Sequence, residues 1–296
     1  MNRRGFFISM MLVVFSWGFN YVVTKIGVSR LAPVNFVFWR FFGTTIATLP
    51  WWGRVLPRKR ADWLKLVVLG VVGVSFYQWF FTSALHDTLA ANVAFLFDLS
   101  PLLTLLAQRL LKLRPATGRM FLGAVVSLAG VAFLVGASPK GSVRGDVYAL
   151  IAALLWSMFT VLTDVFQVPV RGIALTGWMS LFGTLGLLPF VTWQPVWSMG
   201  PVTWMPLLYT IVFVTMMGLS LWQNAVMSAG AGKTSLYLFL IPLVAALTGW
   251  VVLGERLNLF EGLGAILILG GVGLAEGLIG RKQPSGLSSD SASCQG

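Results

Sequence analysis

Two ionisable side chains lie inside apolar runs where the surrounding residues call for lipid. Asp98 sits near the middle of LAANVAFLFDLSPLLTLLAQRLL (89–111), and Arg40 interrupts FWRFFGTT (38–45). A carboxylate in such a place can hold an ammonium group or carry a proton. A guanidinium offers five donors in a planar fork that matches a carboxylate. Around them recur aromatic and amide groups of the kind that line a binding cavity. Trp17, Asn20 and Thr24 share one helical face at spacings of three and four, and Trp156, Thr160 and Thr163 form a similar strip. Tyr77-Gln78 and Trp222-Gln223-Asn224 add further hydrogen-bonding groups to apolar segments. Buried in a bilayer, such groups need partners, which they find in neighbouring helices or in a water-filled pathway. Indole faces can also attract an ammonium ion.

Other chemistries are excluded by what the chain lacks. Its single Cys, Cys294, and single His, His86, leave no zinc set and no intramolecular disulfide. No GxxxxGK[ST] phosphate loop and no HExxH pair occurs, so direct ATP coupling, enzymatic activity, a metal and a cofactor are not expected. The formal net charge of +12 could suggest nucleic acid as a partner, but the basic residues lie in short loops between apolar runs. That placement reads as membrane orientation, with the lipid bilayer and a small-molecule substrate as the partners.

The elements that must position these residues are membrane helices. The chain is 57% hydrophobic and 10% charged, with a mean hydropathy of +0.84, against about 25% charged residues in soluble domains. Spans of about 20 residues are predicted at 6–29, 33–52, 63–85, 88–111, 117–136, 145–166, 172–193, 203–228, 232–253 and 258–279. The first is too long for a signal-peptide core and lacks a small-residue cleavage site. With the amino terminus inside, the cytoplasmic side holds Arg3, Arg4, Arg54, Arg58, Lys59, Arg60, Lys65, Arg109, Lys112, Arg114, Arg119, Arg171, Lys233, Arg281 and Lys282. The far side holds only Lys25, Arg30, Lys140, Arg144 and Arg256. This bias places both termini in the cytoplasm. The polar tail 281–296 is expected to be disordered.

The spans repeat. A shift of 141 lays Leu85–Gly136 over Val226–Gly277, with Pro101 on Pro242 and Gly123-Ala124 on Gly264-Ala265. Shifts of 139 and 140 pair Trp17 with Trp156 and Phe42-Gly43-Thr44 with Phe182-Gly183-Thr184. The expected fold is therefore an all-α integral membrane protein of ten helices in two five-helix repeats, 1–138 and 139–280. Five being odd, the second repeat enters the membrane inverted. Inverted repeats build transporters with a site near the midplane between the halves.

SWGFNYVVTK (16–25), FWRFFGTT (38–45), SALHDTLAANVAFLFDLSPLLTLLAQ (83–108) and NAVMSAGAGKTSLYLFLIPLVAALTGWVVLGERL (224–257) resemble the drug/metabolite transporter superfamily in its EamA-like ten-helix form. The resemblance extends over nearly the whole chain. It departs at 111–118, where LKLRPATG stands opposite LGERLNLF (253–260) and the acidic residue is missing from the first half. The resemblance implies a secondary transporter in the cytoplasmic membrane, often an exporter of amino acids or other small metabolites. The alternative is an exporter of cationic or hydrophobic compounds, with Asp98 as the cation or proton site. Protons are a candidate coupling ion, and monomer and homodimer both stay open.

Arg40 and Asp98 lie at comparable depths, about 10 and 15 Å into helices that start from the same side. Their repeat counterparts are Ser180 and Phe239, so the shared scaffold does not require the charges. Three readings stand: a structural ion pair between the two, a substrate site in which Arg40 takes a carboxylate and Asp98 an ammonium or proton, or an Arg40 that snorkels outward. Pro101 and Pro242 each remove a helical hydrogen bond and are read as kinks or hinges. Gly123, Ser127 and Gly130, with Gly264, Ile268 and Gly271 at the same spacing, read as close-packing faces.

Overall fold

The computed structural model describes residues 2–135, 141–193, 200–244, 246–247 and 259–277. The tail 281–296, Lys140 and the end of the ninth predicted span with Glu255 and Arg256 lie outside the described residues. No strand occurs among those described.

The helices begin and end where local chemistry directs. α1 (Arg3–Val28) starts at Asn2, whose side-chain oxygen accepts from the Gly5 amide at 2.7 Å, satisfying one orphan amide of the first turn. α2 (Pro33–Trp52) opens on Pro33, which has no amide to satisfy. The third predicted span is composite: α3 (Arg60–Gly70), a π-helical segment π1 (Val71–Phe76) and α4 (Tyr77–Asp87). The fourth is broken into α5 (Ala90–Phe97) and α6 (Ser100–Leu110). α7 (Gly118–Val135), α8 (Val143–Phe166) and α9 (Gly172–Leu187) follow. The eighth is again composite, α10 (Pro201–Tyr209), π2 (Thr210–Leu219) and α11 (Ser220–Ala229). α12 (Ala231–Ser235) passes into a 3-10 segment (Leu236–Leu240), helical again at 241–244, and α13 (Leu259–Ala275) comes last. Six of these helical stretches are long and apolar enough to cross a membrane by length and composition: Arg3–Val28, Arg60–Asp87, Ala90–Leu110, Val143–Phe166, Gly172–Phe190 and Pro201–Ala229.

Segments equivalent in the sequence repeat pack on one another. α7 lies against α13, where a Cβ on Gly130 would come within 2.7 Å of the Gly264 carbonyl oxygen and one on Gly264 within 2.6 Å of that of Gly130. Only hydrogen fits between these backbones, as expected of membrane helices held by close van der Waals contact. Ser127 Oγ donates to the Ile268 carbonyl at 3.3 Å across the same seam. α2 packs beside α9. Gly43 on α2 faces Ile211 of π2, while its repeat partner Gly183 on α9 faces Val74 of π1. Each repeat thus carries its second helix against the π-segment of the other.

Both prolines act by more than a kink. Pro101 stands in the first turn of α6, after a two-residue break at Asp98-Leu99 in which the Leu99 amide donates to the Leu96 carbonyl at 3.3 Å. Pro242 follows the 3-10 segment, and the Leu238 carbonyl that it leaves without an α-helical partner accepts from the Ile241 amide instead.

Candidate functional site: an aromatic cavity with one buried guanidinium

The first helix of each repeat brings an indole to the centre. Trp17 and Trp156 meet edge to face at 5.3 Å between ring centroids, and Trp222 of α11 lies 5.3 Å from each. Tyr77 stands 4.8 Å from Trp156, Phe97 lies 5.8 Å from Tyr77, and Phe81 lies 5.3 Å from Phe97. A cavity of about 30 Å3 lies beside this cluster. Trp17, Asn20, Tyr21, Arg40, Tyr77, Gln78, Phe81, Phe97, Trp156, Val214, Leu219 and Ile241 line it. The volume is close to the share of one water molecule, too small for an amino acid.

Arg40 is the charged member of the wall and is 2% exposed. Its Nε donates to Thr215 Oγ1 at 2.8 Å and its Nη1 to Gln78 Oε1 at 3.2 Å, and its guanidinium carbon lies 5.0 Å from the Phe41 ring centroid. Thr215 Oγ1 in turn donates to the Thr210 carbonyl at 2.8 Å, five residues back. That reach is the π-helical spacing, so π2 sets the direction of the hydroxyl that holds Arg40. Among the described residues Arg40 has no ion pair.

Asp98 does not answer that charge. The expected Arg40–Asp98 pair is absent because Asp98 caps α5 at the break of the fourth helix, while the fork of Arg40 is turned to π2 and α4. Asp98 is 1% exposed and does not line the cavity, although its neighbour Phe97 does. Its Oδ2 has no hydrogen-bond partner among the described residues, and neither have Ser100 Oγ, Trp156 Nε1, Thr160 Oγ1 and Trp222 Nε1. The snorkelling reading of Arg40 fails as well, since the side chain is buried.

Of the residues singled out by sequence, Trp17, Asn20, Arg40, Tyr77, Gln78 and Trp156 line the cavity, and Trp222 backs it. Asn20 Oδ1 accepts from Thr24 Oγ1 at 2.9 Å, so the polar strip on α1 is bonded along itself. Two expected members lie elsewhere. Gln223 ties α11 to α9, accepting from Thr176 Oγ1 at 3.2 Å and donating to Met179 Sδ at 3.0 Å. Asn224 accepts from the Gly172 amide at 3.0 Å at the start of α9, where Gly172 has a φ of +58°. Successive residues on a helix point about 100° apart, so Trp222 can reach the cavity while Gln223 and Asn224 turn to other helices. Tyr21, Phe81 and Thr215 were not anticipated. A Thr210–Thr215 pair at a spacing of five was the sequence signal for the last of these.

Hydrogen bonds and ion pairs join the two repeats at either end of the bundle. At one end Asp146 accepts from Thr88 Oγ1 at 3.0 Å, Arg144 lies 3.4 Å from Asp87, and Asn35 donates to Thr192 at 2.8 Å. At the same end Lys25 donates to the carbonyls of Leu85 and Thr88, within the first repeat. At the other end Arg114 pairs with Asp164 at 3.0 Å, and Gln108 accepts from the Gly232 amide at 3.0 Å. Asp164 also accepts from the Ala231 amide at 3.0 Å.

Among the described residues the protein is an all-helical bundle of long apolar helices around a small polar-aromatic cavity, as fits a membrane-embedded protein. The EamA-like transporter family matches residues 6–136 and again 143–276, and the chain belongs to that family. It is 29% identical over 276 residues to an uncharacterized transporter of Archaeoglobus fulgidus, across 88% of this chain and 93% of that protein. It is 23% identical over 291 residues to a probable amino-acid metabolite efflux pump of Salmonella typhimurium, across 92% and 94% of the two. A solved crystal structure superimposes with a TM-score of 0.75 at 22% identity, over 94% of this chain and 98% of the other.

Proposed function

We propose that the protein exports amino acids or related small polar metabolites across the cytoplasmic membrane by alternating access. In this reading ten helices form two five-helix halves of opposite orientation, with both termini in the cytoplasm. The observation that carries it is Arg40, a buried guanidinium on a cavity wall, held by neutral oxygens and matched by no acid among the described residues. An isolated charge at membrane depth costs at least about 2.5 kcal/mol on insertion scales, and a substrate carboxylate would offset that cost. The ammonium of the same substrate would face Trp17, Tyr77 or Trp156 through cation–π attraction. The orphaned Trp156 Nε1 is a further donor for a carboxylate oxygen. A cavity of about 30 Å3 is too small for an amino acid, so the halves must separate at one end to admit it. Packing of equivalent helices across the molecule supports such a rocking motion, and the name of the Salmonella relative supports the substrate class.

Asp98, whose Oδ2 has no hydrogen-bond partner among the described residues, supports a second reading, in which it takes up a coupling proton or a cationic substrate. Release of labelled amino acids from preloaded proteoliposomes, at matched protein content, tests both. Wild type should release an amino acid and Arg40→Gln should not. If Asp98→Asn retains release but loses its dependence on a proton gradient, Asp98 is the coupling group. If wild type releases no amino acid but does release organic cations, the second substrate class replaces the first.

A further inference from the structure

A second cavity, of about 640 Å3, opens between the first turns of α1, the 3-10 segment and the last turns of α13. Its two ends differ in chemistry. Arg3, Arg4 and Lys233 gather with Glu276 at one end, and Phe7, Ile8 and Leu269 belong to the apolar remainder. Those three apolar side chains are 53%, 59% and 59% exposed, so the wall is open to the surroundings of the bundle rather than sealed within it.

Glu276 Oε2 lies 3.2 Å from Lys233 Nζ, which also sits 5.4 Å from the Phe6 ring centroid. One oxygen of the acid is thereby engaged, while its Oε1 has no hydrogen-bond partner among the described residues. Arg3 and Arg4 form no ion pair among the described residues. Three cations against one carboxylate leave this end with a formal charge of +2, beside the positive end of the α1 dipole.

We propose that this groove binds an anionic phospholipid of the leaflet at the amino-terminal end. Its phosphate is held by Arg3 and Arg4, and an acyl chain runs over Phe7, Ile8 and Leu269. Basic pockets between membrane helices take acidic lipid headgroups for this reason. A free phosphate would satisfy the arginines but leave the apolar wall unused. The tail 283–296 is a poor occupant, because its one charged side chain is Asp290 and its one large apolar side chain is Leu287. The groove joins α1 of the first repeat to α12 and α13 of the second, so a bound lipid would bridge the two. The inference stands apart from the transported substrate.

The test uses the full-length purified protein and reads binding, not transport. Phosphatidylglycerol and phosphatidylcholine are titrated in detergent, with retained lipid read by native mass spectrometry and the Tm by thermal unfolding. Phosphatidylglycerol should be retained in preference and should raise Tm. Arg3→Gln/Arg4→Gln should lower that preference at least tenfold, while Arg58→Gln/Arg60→Gln, at the end of the α2–α3 loop and the start of α3, should leave it intact. Equal retention of the two lipids overturns the proposal, as does equal loss in both double variants. So does displacement of the lipid by millimolar inorganic phosphate, or a preference that emerges only when residues 283–296 are deleted.

Discussion

Thr215 and Gln78 hold Arg40 by accepting from two different nitrogens of its fork, and the geometry that results is specific to a guanidinium. A lysine ammonium at this position would be a point charge unable to meet both acceptors at once while facing the cavity. Arg40→Lys should therefore leave expression intact and reduce transport almost as far as Arg40→Gln, measured as initial release rates in proteoliposomes. Thr215→Val removes one acceptor and keeps the shape. Hydrogen bonds to charged groups contribute about 1.5–3 kcal/mol, so the variant should raise the half-saturating substrate concentration roughly tenfold or more. At Asn224 the expected effect lies on stability instead. Its bond to the Gly172 amide serves the start of α9, and Asn224→Ala should cost about 1 kcal/mol, read as a lower Tm in detergent with transport per folded molecule unchanged.

The two π-helical segments matter most among the elements. π1 and π2 fall at matching places in the repeats, residues 71–76 and 210–219, and each packs against the second helix of the opposite repeat. A π-turn widens the helix by one residue, which re-aims the side chains that follow; Tyr77 and Gln78 come directly after π1, and Thr215 lies within π2. Neither segment contains a proline, and the single glycine in each, Gly73 and Gly218, does not by itself announce π geometry, since the hydrogen bonding is decided by what packs alongside. The α7–α13 seam is the opposite case, where glycine spacing announced the contact. Gly130→Leu would drive a side chain into the Gly264 carbonyl and the Ile268 amide and should lower Tm sharply, by the equivalent of several kcal/mol. Gly270 and Gly262 on the same helix α13 have open space where a Cβ would go, so Gly270→Ala should be neutral or slightly stabilising through helix propensity. If both substitutions cost the same, the seam is not the source of the effect.

For the whole molecule, the small cavity and the bonds at both ends fit one state of the proposed alternating-access cycle. Transport by rocking requires the Asn35–Thr192 contact and the Gln108–Gly232 contact to part alternately. In a background carrying Cys294→Ser, a disulfide introduced as Asn35→Cys/Thr192→Cys, or separately as Gln108→Cys/Gly232→Cys, should stop turnover when oxidised and restore it when reduced. Persistent transport through either oxidised pair would show that the halves do not separate there.

Composition and periodicity alone determined that the chain is helical and membrane-embedded, because runs of about 20 apolar residues have no other way to satisfy their backbone in lipid. The internal repeat likewise told which segments correspond, and hence that Trp17 and Trp156 occupy equivalent places. Half of the cavity wall was legible in the same way: polar and aromatic groups inside apolar helices are costly, and few positions carry them. The partner of each group was decided only by the tertiary structure. Arg40 could face Asp98, substrate or the interface, and the sequence does not choose among them, because depth along a helix says nothing of rotation about it. Packing against π2 and α4 turned the guanidinium to Thr215 and Gln78 and left Asp98 at a helix break. Gln223 and Asn224 missed the cavity for the same reason, since each step along a helix turns the side chain by about 100° and the neighbouring helices settle which step faces inward.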